Sequence, residues 1–268
     1  MEIYKLRKRP MTWVVAAILL AALTVFVGLG YVISRLDDPN AGVDGFLLPG
    51  IIPNAFDVIS GLGSILLVVT AASLVGSEYG WGTVRAKIGS GVSRTKLLAA
   101  KLLAIVALIV MFVIGGVLAA IVTSTVIAIG GGHDVTLGWL DGATLADIGK
   151  MFLGTAFLLF VSAVIGFAVA AVTRSLAAGI AIGIGYSIAE SILGAILSSL
   201  GGAGETISKA LISTNSNAIV RLNTFDDLQI TDGTPPLARA VLILSLYCIV
   251  FLTGAFVAFR KHDIPSGS

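Results

Sequence analysis

Residues 77–101 read SEYGWGTVRAKIGSGVSRTKLLAAK. Five of the seventeen Lys and Arg residues fall in this stretch: Arg85, Lys87, Arg94, Lys96 and Lys101. An uncharged apolar run, Val58–Ser77, leads into it, and a second, Leu102–Gly132, leads out. Each run reaches the roughly 20 residues that an α-helix needs to cross a bilayer. A short basic connection between two such runs predicts a pair of membrane-crossing helices whose loop stays in water on the cytoplasmic side.

Working outward, four more runs of that kind appear. They are Trp13–Ser34, Met151–Thr173, residues 175–200 and Ala240–Phe259, the fifth span interrupted only by Glu190. The apolar character is continuous. A transmembrane barrel strand would alternate over about 10 residues, so helices are the expected way to satisfy the backbone in lipid. The composition agrees: 57% of residues are apolar, 12% are charged, and the mean hydropathy is +1.02. Soluble domains carry about twice that charge. The sequence therefore predicts an all-α integral membrane protein, a single transmembrane domain over residues 1–268 with six transmembrane helices. A single cysteine, Cys248, excludes an internal disulfide.

Charge sets the expected orientation. Twelve of the seventeen Lys and Arg residues lie before the first span, between spans two and three, in the turn at Arg174, and after the sixth span. Eleven acids, among them Asp37, Asp57, Asp134, Asp141 and Asp226, lie in the other loops. The positive-inside rule then places both termini in the cytoplasm, an N-in, C-in chain in the plasma (cell inner) membrane. The first run is longer than a signal-peptide core and is read as an uncleaved span. Residues 1–11 mix Ile3, Tyr4 and Leu6 with Lys5, Arg7, Lys8 and Arg9. They form either an interfacial helix or a simple basic anchor.

The outer loops are expected to be modest. Residues 35–57 contain Pro39, Pro49 and Pro53 and read as irregular. DGATLADIG, from Asp141, reads as a capped entry to span four. Residues 205–221 read as a possible short outer helix between spans five and six, and Pro235-Pro236 precedes span six.

Within 77–101, Ser93 is an expected N-cap for the next helix, and Gly80-Trp81-Gly82-Thr83 is a flexible break carrying an interfacial aromatic. The pattern E-x-x-x-G-T-x-R followed by S-R-x-x-L-L-x-x-K is carried by Glu78, Gly82, Thr83 and Arg85, then by Ser93, Arg94, Leu97, Leu98 and Lys101. It resembles the segment after the second span of ABC-2-type transporter permeases. The six-span layout resembles that family too. The resemblance implies a cytoplasmic coupling helix that docks onto a separate ATPase subunit, with Glu78, Gly82, Thr83, Arg85 and Arg94 as coupling positions. It also implies a homodimer, or a pair with a related permease, working as an exporter; the mostly aliphatic spans point to a hydrophobic or amphipathic substrate. Arg94, Lys96 and Lys101 are further expected at the mouth of span three, where they fix orientation.

No G-x-x-x-x-G-K-[ST] motif is present, so ATP and Mg²⁺ are expected on the partner subunit, with no cofactor held by this chain. No H-E-x-x-H motif is present and no His lies inside a span; the chain is not expected to be an enzyme or to hold a metal. Its partners are membrane lipids and the ATPase subunit, not nucleic acid. Glu190 is a candidate for the substrate path, because an ionisable group inside a span marks function by default. Three other readings stand beside it: a neutral hydrogen-bonded acid, an acid near the outer interface, or a plain cavity lining. Gly179 and Gly183 form a small-xxx-small pair that suits close helix packing. Two other function classes fit the same layout: a secondary transporter or channel, and a non-transport scaffold recruiting a cytoplasmic partner.

Overall fold

The computed structural model describes residues 8–37, 43–80, 93–136, 138–200, 202–225 and 235–261, and all regular elements among them are helical. Eight α-helices follow in order: α1 (Pro10–Asp37), α2 (Ile51–Gly80), α3 (Arg94–Gly130), α4 (Gly142–Thr173), α5 (Leu176–Ser199), α6 (Gly202–Ser208), α7 (Ile212–Val220) and α8 (Leu237–Lys261). A single 3₁₀ turn, Asp44–Phe46, precedes α2. Six helices are long and apolar enough to cross a membrane: α1 to α5 and α8. This is the make-up of a multi-pass membrane protein.

The helices start where local chemistry lets them. Pro10 opens α1, where its missing N–H is no loss. Ser93 caps α3, its hydroxyl accepting from the Lys96 amide at 3.4 Å. Asp141 caps α4 through the Thr144 amide at 2.8 Å, and that bond holds the Asp141 carboxyl below its ordinary range. Ser175 caps α5 through the Ala178 amide at 3.3 Å.

The spans run longer than expected. α2 begins at Ile51 and absorbs Pro53 and Asp57, which the sequence reading leaves in a loop. Pro53 is the third residue of α2, inside the first turn, where no intrahelical N–H bond is lost. α4 begins nine residues before Met151. The segment expected as one outer helix is two, α6 and α7.

Contacts at the ends of α1, α2, α3 and α8, with the approach of Gly76 to Leu176 beside the α4–α5 turn, show the six long helices alternating in direction. At one end, Arg9 of the chain entering α1 meets Ser77 and Glu78 of α2, Lys101 of α3 meets Glu78, and Phe259 of α8 packs edge-on against Tyr79 with ring centroids 6.1 Å apart. At the opposite end, Arg35 in α1's last turn meets His133 beyond α3 at 3.0 Å; Tyr247, further along α8, donates to the Ala210 carbonyl.

α2 and α4 form the buried centre, with Phe56, Leu67, Met151, Leu159 and Phe167 fully enclosed. α1 and α3 pack on one side of this pair, α5 and α8 on others. Lipid is as apolar as leucine, so helix association here rests on close packing more than on burial from water. Gly166 of α4 lies directly against the Val68 carbonyl of α2, where no side chain fits. A Cβ at Gly76 would sit 2.5 Å from the Leu176 Cα, which brings α2 and α5 together. Gly179 and Gly183 of α5 face Ala72, Ala170 and Val68, so that pair is a packing seam within the chain. Arg174 alone links α4 to Ser175 and takes a left-handed conformation, φ 55°, at the α4 C-terminus.

Candidate functional site

Two places concentrate polar side chains inside this apolar fold. The first is the end marked by Glu78. Glu78 and Lys101 are each 2% exposed. Lys101 Nζ lies 3.0 Å from Glu78 Oε2 and also donates to the Leu74 carbonyl. Arg9 Nη2 approaches Glu78 Oε1 at 3.6 Å, and Arg9 Nη1 donates to Ser77 Oγ at 3.4 Å. One carboxylate thus ties the entry of α1, the end of α2 and the second turn of α3. A buried charge needs such compensation, since desolvation alone costs several kcal/mol per ion.

This arrangement corrects one expectation. Lys101 is not at a solvated mouth of span three; it points into the bundle. Its helix face explains why. Leu98, Lys101 and Ile105 fall at helical spacing on α3 and all three are buried. That spacing was the signal available in the sequence. Of the expected coupling positions, Glu78 lies in this network and Arg94 is the first residue of α3. Gly82, Thr83 and Arg85, and with them the expected coupling helix, lie outside the described residues.

The second place is a cavity of about 1110 Å³ between α2, α4, α5 and α7. Its walls mix aliphatic side chains with hydroxyls, including Ser64, Ser162, Ser187 and Ser191. Ser187 and Ser191 donate to carbonyls of their own helix, at 3.0 and 2.8 Å, so their lone pairs face the cavity without an unsatisfied donor. Ser60 and Thr155 bond each other at 3.1 Å and close the α2–α4 seam behind it.

Glu190 lines this cavity but is occupied. It is 7% exposed. Oε2 accepts from the Ser213 amide at 3.1 Å, and Oε1 accepts from the Ile212 amide. These are the first two amides of α7, whose N-cap residue, Leu211, has no side-chain acceptor. A helix N-terminus leaves its first amides unsatisfied and favours a negative charge. Glu190 supplies both amides with an acceptor from another helix. Gly194, one turn further along α5, has no Cβ and lets Ser213 and Thr214 settle against it. Asn215, fully buried, donates to the Lys209 and Leu211 carbonyls at 3.0 and 2.6 Å, pinning the link before α7.

Asp57 also faces the cavity, from the second turn of α2. Its Oδ1 accepts from Asn223 Nδ2 at 2.9 Å. The sequence reading counts it among outer-loop acids and misses it as a site residue; helical continuation through Pro53 places it here. Among the described residues no three His, Cys, Asp or Glu side chains gather closely enough to hold a metal ion.

Residues 12–265 match DUF2705, a family described as a protein of unknown function. The chain belongs to the DUF2705 family. It is also similar to the uncharacterized protein YhcI of Bacillus subtilis (strain 168), with 26% identity over 231 residues. That match takes in 79% of this chain and 66% of the relative, so it spans just under two thirds of YhcI. The DUF2705 match runs from the first turn of α1 to beyond the end of α8, so Glu78, Lys101 and the cavity lie within it and Arg9 just before it.

Proposed function

We propose that this DUF2705 chain is the permease subunit of an ATP-driven ABC transporter, exporting a hydrophobic or amphipathic molecule. The observation that carries the reading is the basic segment after α2, with its resemblance to the ABC-2 coupling segment, continuous with the buried Glu78–Lys101–Arg9 network. A push on that segment from a partner would reach α1, α2 and α3 together through one carboxylate. Glu190 has the lesser role of holding α7, and the cavity beside it supplies a path for cargo. In this reading both termini and the Glu78 end face the cytoplasm, in the plasma membrane. Two copies, or one copy and a related permease, assemble with two ATPase subunits that bind ATP and Mg²⁺. The conformational change follows only if the ATPase contacts differ between the two states.

Affinity purification of the full chain from native membranes tests this. An ATP-hydrolysing protein with a P-loop should co-elute, and Arg85→Glu should lose it without changing the melting temperature of the chain. Purification of the folded chain with no ATPase, at any detergent mildness, would overturn the proposal.

The hydroxyl-lined cavity favours a second reading, a secondary transporter or channel. Uptake or release by the isolated chain in liposomes under an ion gradient, with no nucleotide, would select it. ATPase binding without any transport would leave the scaffold reading.

A further inference from the structure

Among the described residues, three charged side chains line the cavity: Asp57, Glu190 and Arg221. Two of them are accounted for by α7. Glu190 sits on its first amides. Arg221 is its C-cap residue, where the last carbonyls favour a cation. Glu190 and Arg221 therefore stand at the two ends of one helix. Asp57 answers nothing comparable. Asn223 engages Oδ1, and Oδ2 has no partner among the described residues. Asp57 is exposed on the cavity side of α2.

The rest of the cavity has a matching division. Asp57 and Arg221 lie toward the end remote from Glu78, and the wall continues along α2 to Val68. Eleven residues of helix make that depth about 16 Å. Ile65 and Ile184 provide aliphatic surface along it, with Val68 and Ile165 buried at its base. Gly61 lies on the same wall, and a Cβ there would meet open space.

We propose that this cavity binds an amphiphile with a cationic head, the head paired with Asp57 and the alkyl part lying along the isoleucine-lined wall. It rests on the reading above only in taking that molecule as the exported cargo; the binding itself requires no ATPase. A carboxylate in a partly desolvated cleft attracts a cation more strongly than the same carboxylate in water. An apolar wall makes affinity grow with chain length, about fourfold per CH₂, the equivalent of about 0.8 kcal/mol.

The probe is a radiolabelled alkyltrimethylammonium series, applied to the full chain in phosphatidylcholine nanodiscs and counted above empty nanodiscs. Saturable binding at one site per chain is expected, tightening with chain length and not competed by the alkyl sulfate of equal length. Asp57→Asn should weaken it at least tenfold. Gly61→Leu, whose Cβ meets open space and whose side chain projects from the wall between Asp57 and Val68, should weaken it at least tenfold with the melting temperature retained. Unsaturable uptake, equal binding of the alkyl sulfate, or wild-type affinity in Gly61→Leu would overturn the proposal. Should Asp57→Asn not fold, Gly61→Leu and the sulfate competition decide it. Loss of binding with an ATPase still co-purifying removes this inference and leaves the permease reading. Binding without any ATPase does the reverse.

Discussion

Glu78 and Lys101 hold opposite charges 3.0 Å apart where almost no water reaches either. Such a pair adds little beyond what apolar residues of the same volume would, but breaking it is expensive, because the survivor stays buried and uncompensated. Glu78→Gln and Lys101→Met are each expected to destabilise the bundle by about 3–5 kcal/mol. The double variant should cost less than the sum, by roughly 0.5–3 kcal/mol of coupling. Unfolding of the four proteins in SDS-titrated mixed micelles measures this cycle, and strictly additive losses would show that the two charges do not support one another. Arg9 moderates the asymmetry. With Lys101 gone it remains 3.6 Å from the carboxylate, so Lys101→Met should be milder than Glu78→Gln, which leaves two cations facing each other.

The elements were legible from composition to different depths. Long apolar runs reveal the six spans because lipid demands them, and Ser93 and Asp141 reveal two starts because caps are local chemistry. The start of α2 was hidden by Pro49, Pro53 and nearby glycines, which signal a break; whether Pro53 breaks a helix or opens one depends on its position in the first turn. The role of Glu190 was not legible at all. Its partners are amides of α7, 22 and 23 residues away, and backbone amides leave no mark in a sequence. Asp57 was hidden for the same reason as α2's first turn. If Glu190 is what holds α7, then Glu190→Ala leaves two buried amides unsatisfied, at about 1–3 kcal/mol each. Hydrogen exchange at Ile212 and Ser213 should then accelerate by tenfold or more, while the amides of α2 and α4 keep their protection. Unchanged exchange at those two positions would mean that the packing against Gly194 and α8 is sufficient to hold α7.

At the scale of the molecule, the alternation of six spans leaves one basic end and one acidic end, and that polarity has a measurable consequence. Of the described Lys and Arg residues, eight (Lys8, Arg9, Arg94, Lys96, Lys101, Arg174, Arg260 and Lys261) belong to the Glu78 end and five (Arg35, Lys150, Lys209, Arg221 and Arg239) to the other, which also carries Asp44, Asp57, Asp134, Asp141 and Asp147. Lysine and arginine resist translocation while acids contribute little to orientation. The Glu78 end should therefore face the cytoplasm, which is also where an ATPase would have to bind. Cys248 is the sole cysteine and is buried, so Cys248→Ser gives a clean background for labelling. On it, Leu145→Cys sits at the exposed start of α4 and Lys96→Cys at the exposed start of α3. A membrane-impermeant maleimide added to intact cells should label Leu145→Cys fully and Lys96→Cys only after permeabilisation. The reverse pattern would put the basic segment outside the cell, beyond the reach of any cytoplasmic ATPase, and would remove the permease proposal along with the orientation.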